Sequence, residues 1–184
     1  CLPAFSSFNG ISSLPGTGEY VLYHGNLSVR ENANAAQWLI ENVFSKINQK
    51  CIIAGLLPDV TLLQQASKYE NIEVRADVSD EEMTELLQNA QVNLLITHQS
   101  TGLKLKLLNA LSKGRFCLVN SKMLVGTLLE NACVVADDAK TMISEIQHLF
   151  DKDFSSEIIE NRSQYLKLYD TSINARKLAQ SIFE

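Results

Sequence analysis

At 184 residues, 46% hydrophobic and 20% charged, the chain is long enough for one globular domain with a core of its own. A formal net charge of -5 argues against a nucleic-acid binder that relies on a basic footprint. No apolar run approaches the roughly 20 residues of a membrane span, which leaves peripheral membrane association at most.

The chain opens on Cys1-Leu2-Pro3 with no signal-peptide pattern, and is read as a piece of a longer protein. Residues 1–19 mix Ser, Gly and Pro with a few apolar residues and read as a linker or arm from a preceding domain. Residues 20–184 read as the folded domain, its C-terminal helices included. Tyr20 to His24 is a first apolar strand, and Gly25-Asn26 marks the turn after it. Helical spacing of Ala36, Leu39, Ile40, Val43, Phe44 and Ile47 predicts a long helix over 31–47. Cys51 to Ala54 is a second strand, closed by Gly55. Asp59 caps the next helix, which turns Leu62, Leu63 and Ala66 inward. Ile72 to Arg75 alternates apolar and charged residues, as a strand toward a sheet edge does.

Ser79 with Glu82 forms a capping-box signal ahead of a helix carrying Met83, Leu86, Leu87 and Ala90. Val92 to Thr97 is a buried strand, followed by a polar turn with Gly102. A helix then carries Leu103, Leu107, Leu108 and Leu111, and Gly114 ends it. Arg115 reads as exposed, and Phe116 to Val119 is the next strand. A short helix is predicted over 124–131 and a short strand over Cys133 to Ala136. Asp137 or Asp138 starts a helix, and two more helical patterns follow over 155–169 and 172–183, the last capped by Thr171 or Ser172. About six near-continuous apolar strands alternating with helices predict an α/β fold: a Rossmann-like, three-layer arrangement with a parallel sheet covered on both faces.

Of the four cysteines, Cys51, Cys117 and Cys133 lie in apolar runs, and no C-x-x-C pair suggests zinc or a disulfide framework. A reducing, cytoplasmic setting is therefore expected. Three loops fall at carboxyl ends of strands, over 24–30, 75–79 and 97–106, where open α/β sheets bind ligands. They supply Arg30, Arg75, Lys104 and Lys106 with free backbone amides, a set suited to a phosphate-bearing ligand. Lys106 suits a diphosphate, and Asn109, about one helical turn on, suits hydroxyls such as those of a ribose. His24 and His98 end strands and read as ligand contacts or as satisfied polar termini; Trp38, Tyr165 and Tyr169 read as packing residues. No G-x-G-x-x-G follows the first strand, and no Walker-type loop, G-x-S-x-G elbow or metal-ligand spacing is present.

Three segments resemble a known family. They are Tyr20 through Ser28 with Asn32 and Trp38, Asn71 through Arg75 with Val78 to Glu82, and Thr101-Gly102 through Asn109 to Gly114. Their order and spacing resemble the C-terminal, nucleotide-sugar-binding half of a GT-B retaining glycosyltransferase of group 1, mannosyltransferase-like, over about residues 20–150. The resemblance implies binding of an NDP-sugar, of GDP-mannose or UDP-sugar type, at Gly25, Asn26, Arg30, Val78, Ser100, Thr101, Gly102, Lys106 and Asn109. It implies hexosyl transfer to the hydroxyl of a glycan or lipid-linked acceptor held by a missing N-terminal domain, in polysaccharide or glycoconjugate synthesis. Neither cofactor nor metal is expected, and the fragment alone is expected to be inactive. The family's two signature glutamates fall at Thr101 and Asn109, and its arginine and lysine in the first loop fall at Asn26 and Glu31. No catalytic residue is thereby assigned; Thr101 stands where the first glutamate would. The alternative reading is a catalytically inactive binding or scaffold module of the same fold.

Overall fold

The structure is a computed structural model and describes residues 10–99 and 104–183. Six parallel strands form one sheet: β1 (Tyr20–His24), β2 (Cys51–Gly55), β3 (Ile72–Ala76), β4 (Ala90–Leu95), β5 (Phe116–Val119) and β6 (Val134–Val135). Their spatial order is β3-β2-β1-β4-β5-β6. The chain therefore winds outward in one direction from β1, then crosses back and winds outward in the other from β4. The switch point lies between β1 and β4, where Val21 pairs with Val92 and Leu22 with Asn93. Strands β1, β2, β4 and β5 are buried along their whole length, as expected for a parallel sheet covered on both faces. β3 lies at one edge and turns its last residues to solvent, which accounts for its alternating pattern.

Helices α1 (Arg30–Asn42), α2 (Val60–Ala66) and α6 (Ala139–Phe150) pack on one face, around Val21, Tyr23, Ile53, Leu94 and Phe116. Helices α3 (Asp80–Asn89), α4 (Leu105–Lys113) and α5 (Ser121–Leu124) pack on the other, around Leu22, Ile52, Leu95 and Cys117. Helices α7 (Ser156–Leu166) and α8 (Thr171–Phe183) complete the chain. The predicted caps at Asp59, Ser79 and Asp138 all form, Ser79 within a full capping box. Asp170, rather than Thr171 or Ser172, receives the Ile173 N–H (2.9 Å) at the start of α8.

Several boundaries move for local reasons. The helix predicted over 31–47 stops at Asn42 and continues as a 3-10 turn over Phe44–Lys46. The break falls at Val43, whose backbone (φ -125°, ψ -63°) leaves the helical region, and the Asn71 carboxamide donates to the carbonyls of Phe44, Ile47 and Gln49 (3.0, 3.0 and 3.2 Å), holding the turn beyond it. The helix predicted over 124–131 is replaced by α5 before it and a 3-10 turn at Glu130–Ala132 after it. Gly126 and Leu128 between them hold positive φ, which a helix cannot accommodate. The central strand starts two residues early, at Ala90, and ends at Leu95. Leu63, read as inward, is 41% exposed.

Arg115 is buried, not exposed, and donates to the Gln88 and Ala90 carbonyls at the end of α3. A cation is favoured at a helix C-terminus, where unpaired carbonyls collect. Arg162 is buried beside it. Its guanidinium donates to the carbonyls of Leu111, Gly114 and Arg115 (3.0, 2.7 and 2.5 Å) and lies over the Phe154 ring, which pins α7 to the α4–β5 turn. The arm residues cross the amino edge of the sheet: Ser12 donates to Ser112, Gly16 pairs with Phe154, and Gly18 donates to the Gln91 side chain.

Gly55 closes β2 against the first loop. A Cβ there would stand 1.7 Å from the Gly25 carbonyl oxygen, a backbone atom that cannot step aside. Gly55→Ala should therefore cost about 1–3 kcal/mol by overpacking. Chemical denaturation of the two proteins checks this, and equal midpoints would contradict the assigned contact.

Candidate functional site

The crevice at the switch point is built by two loops. The first leaves β1 at His24. Gly25 donates its N–H to the Ala54 carbonyl (3.1 Å). A side chain at Gly25 would press on the Asn32 carboxamide at 3.2 Å, so the glycine leaves room for Asn32 to fold back. Asn32 does so, donating to the Asn26 carbonyl (2.9 Å). Asn26 is exposed and forms a local turn, its Oδ1 accepting from the Ser28 N–H (3.0 Å) and hydroxyl (2.7 Å). Helix α1 then starts after Val29, a residue with no side chain able to cap it.

The second loop leaves β4 at Leu95. Asn120, beyond β5, locks its start: its Oδ1 accepts from the Thr97 N–H (3.1 Å) and its Nδ2 donates to the Thr97 carbonyl (2.7 Å). The loop's next donors converge on one atom. Glu31 Oε1, from the first turn of α1, accepts from the Thr97 hydroxyl, the His98 N–H (3.2 Å) and the Gln99 N–H (3.3 Å). The Thr97 hydroxyl foremost, then the two amides and the Lys106 charge, hold the Glu31 carboxyl below the usual carboxylate range, against an opposing effect of partial burial.

Three lysines surround this arrangement. Lys106 Nζ donates to Asn32 Oδ1 (3.2 Å) and stands 5.6 Å from the centre of the Tyr23 ring. Lys104 Nζ donates to the Gln99 carbonyl (3.3 Å), and Lys122 Nζ to the His98 carbonyl (3.4 Å). Burial lowers the Lys106 pKa, while the Glu31 charge opposes that shift. The crevice thus gathers two backbone amides on the Glu31 carboxylate, with Lys106 acting on it and Lys104 and Lys122 on the carbonyls of the same loop. Such a set binds an anion, with the ammonium groups supplying charge and the amides direction. A cavity of about 300 Å³ adjoins it, bounded by Trp38, His98, Lys122 and Asp137.

Of the residues picked out from sequence, Gly25, Asn26 and Lys106 meet at this crevice. Arg30 stands exposed at the first position of α1, and Asn109 is exposed on α4 one turn beyond Lys106. Val78 is half-buried and packs on the core beneath α3 and α4. Its loop is braced elsewhere: Asp77 accepts from the Leu57 N–H (2.8 Å) and donates its own N–H to the Gly55 carbonyl (2.9 Å). Both Leu57 and Asp77 hold positive φ there. Ser100, Thr101 and Gly102 lie outside the described residues. Glu31, Asn32, Thr97 and Lys122 were missed as participants. For Glu31 a signal was present: an acid standing where the resembling family keeps a lysine.

His24 is buried rather than presented to the crevice, and its Nε2 has no hydrogen-bond partner among the described residues. Desolvation, then the charges of Lys106 and Lys113, lower its pKa to about 4.

This strand order and this switch-point crevice define a Rossmann-like α/β domain of the kind that forms the C-terminal half of GT-B glycosyltransferases. The model of the family Glycosyl transferases group 1 matches residues 18–152, and the chain belongs to that family. Among solved structures, it is similar to a point mutant of S. aureus TarM in complex with fondaparinux, alpha-GlcNAc-glycerol and UDP. That match has a TM-score of 0.72 and 14% identity, over 98% of this chain and 38% of the other. It is also similar to AviGT4, a glycosyltransferase involved in avilamycin A biosynthesis (TM-score 0.60, 16% identity, 89% and 51% covered). A third is the UDP-forming alpha,alpha-trehalose-phosphate synthase of Burkholderia xenovorans (TM-score 0.66, 10% identity, 91% and 44% covered). The chain thus spans about half or less of the length of these structures, and at such identities the likeness speaks for the fold. No curated protein matches the sequence. No helix among the described residues is long and apolar enough to cross a membrane.

His24 supplies a pH test of the site's packing. Its depressed pKa means that the unfolded chain takes up a proton near pH 6.5 while the folded chain stays neutral down to about pH 4. Stability is therefore whole above about pH 6.5 and falls as pH drops toward 4. His24→Leu should flatten the fall between pH 6.5 and 5, a window above the range in which the low-shifted carboxyls of Glu31, Glu73 and Asp138 titrate. Urea titrations of both proteins at pH 7 and pH 5 check it; parallel losses would contradict a buried neutral imidazole.

Proposed function

We propose that this chain is the donor-binding half of a glycosyltransferase that moves a hexose from an NDP-sugar to an acceptor hydroxyl with retained anomeric configuration. The observation that carries this reading is the convergence of Lys104, Lys106 and Lys122 with the His98 and Gln99 amides at the switch point. Fixed positive groups there would hold the diphosphate as charge develops on it during bond cleavage. Lys106 fills the electrostatic role left open in the first loop, where Asn26 and Glu31 stand. Asn109, exposed one turn further along α4, would take the ribose hydroxyls.

The donor is of UDP-sugar or GDP-mannose type, and the similarity to a UDP-forming synthase and to a complex containing UDP favours testing uridine nucleotides first. The acceptor, a glycan or lipid-linked hydroxyl, would be held by an N-terminal half, and the work would be cytoplasmic, with peripheral membrane contact at most. The reading calls for no cofactor or metal. A second reading, a catalytically inactive nucleotide-sugar-binding module, is favoured by Thr101 and Asn109 standing at the positions of the family's glutamates. Sugar transfer by the full-length protein separates the two.

Calorimetric titration of the full-length protein with GDP, UDP and ADP tests the shared part of both. Saturable binding of one nucleotide is expected. Lys106→Ala should weaken it roughly tenfold or more, the scale of a lost hydrogen bond to a charged group, with the fold intact. Asn109→Ala should weaken intact nucleotides more than their 2′,3′-dideoxy analogues. Unchanged affinity in the first variant, or equal weakening of both ligand classes in the second, contradicts the assigned role.

A further inference from the structure

The unexpected participant in the crevice is Glu31. A carboxylate in the first turn of α1 is ordinary electrostatics, since a helix N-terminus favours negative charge. This one instead reaches across the switch point to the other loop. A single oxygen of Glu31 takes three donors from the described end of the β4 loop: the Thr97 hydroxyl, the His98 amide and the Gln99 amide, which it shares with the Thr97 oxygen. Lys106 interacts with it electrostatically, and Lys104 and Lys122 hold the same loop through the Gln99 and His98 carbonyls. Two amides and a hydroxyl converging on one oxygen, with the Lys106 charge acting on it, are the recognition elements of a phosphate oxygen. Glu31 is only part-buried, so its carboxylate can leave the nest for solvent without carrying a charge through the core.

We infer that Glu31 is a built-in stand-in for substrate phosphate: its carboxylate closes an anion nest that a diphosphate takes over by displacing it. The inference rests on the donor-domain reading and adds regulation to it. Binding becomes an exchange of one anion for another on the same donors. Each association then costs the loss of the Glu31 contacts and the movement of α1's first turn away from the β4 loop. The same exchange couples nucleotide arrival to separation of the two loops, because Glu31 is a direct tie between them. A ligand with no anionic group cannot make the exchange, so the device also discriminates nucleoside diphosphates from nucleosides. A lysine at position 31 would repel Lys106, whereas the glutamate there is held by its charge.

The test uses the full-length protein, Glu31→Gln and Glu31→Asp, titrated calorimetrically with inorganic pyrophosphate, with UDP and GDP, and with uridine and guanosine. Glu31→Gln keeps the shape and removes the charge; Glu31→Asp keeps the charge and withdraws it from the nest. Both should bind pyrophosphate roughly threefold to fivefold tighter than wild type, the scale of one exposed charge pair, with nucleoside binding unchanged. Equal or weaker pyrophosphate binding in the variants, or none in any of the proteins, overturns the inference and leaves Glu31 as a brace between loops. Tighter pyrophosphate binding without binding of any nucleotide keeps the exchange and defeats the donor-domain reading instead. Nucleotide binding with identical affinities in all three proteins does the reverse.

Discussion

The pairing of β1 with β4 at the centre of the sheet is the constraint on which the rest depends. Parallel strands present all their carboxyl ends on one edge, and a chain that winds outward in both directions leaves a gap between the two central loops. Here that gap separates the loop after β1 from the loop after β4. Both strands are buried along their full length, so neither can shift register without moving its side chains to the wrong face of the sheet. The position of the crevice follows from packing that has nothing to do with any ligand.

What fills the edges of that crevice is set by less regular features. Asn120 ties the end of β5 to the end of β4, and Asn32 folds back over Gly25 to receive Lys106. These carboxamides act as backbone surrogates, satisfying polar groups that loops would otherwise leave to water. The opposite edge is managed by arginines. Arg115 and Arg162 are buried with backbone carbonyls for acceptors, and they join the end of α3, the α4–β5 turn and α7 into one unit. Positive charge is thus used at both edges. It is buried on carbonyls at the amino edge, while at the carboxyl edge it stays partly exposed, with the Lys106 charge acting on the Glu31 carboxylate.

That contrast gives the proposed function its physical shape. At the amino edge each guanidinium is buried and spreads over two or three backbone carbonyls. At the carboxyl edge the lysines are exposed or half-buried and reach the Gln99 and His98 carbonyls and the Asn32 carboxamide at 3.2–3.4 Å. A site that must take up and release a multiply charged ligand needs the second arrangement, since partners held as firmly as those of Arg162 would not give way.

The sequence by itself determined the class of fold, the strands, most helix starts and the edge at which the crevice opens. Each of these depends on local periodicity or on a cap within a few residues: the apolar runs of β1, β2, β4 and β5, the capping box of Ser79 and Glu82, the lone caps Asp59 and Asp138. The family likeness was legible as well, because its segments keep their order. Only the tertiary structure decided what depends on distant partners. Arg115 read as exposed because nothing in its neighbourhood showed that the carbonyls ending α3 would lie above it. The long first helix stopped early, at Asn42, and Asn71, far along the chain, ties down the carbonyls of the turn that follows it. Glu31 read as a departure from a family pattern, and its role became visible only when the fold brought it to Thr97, His98 and Gln99. Side-chain hydrogen bonds between loops have no period and no fixed spacing, so they leave no trace in sequence until the sheet has placed the loops together.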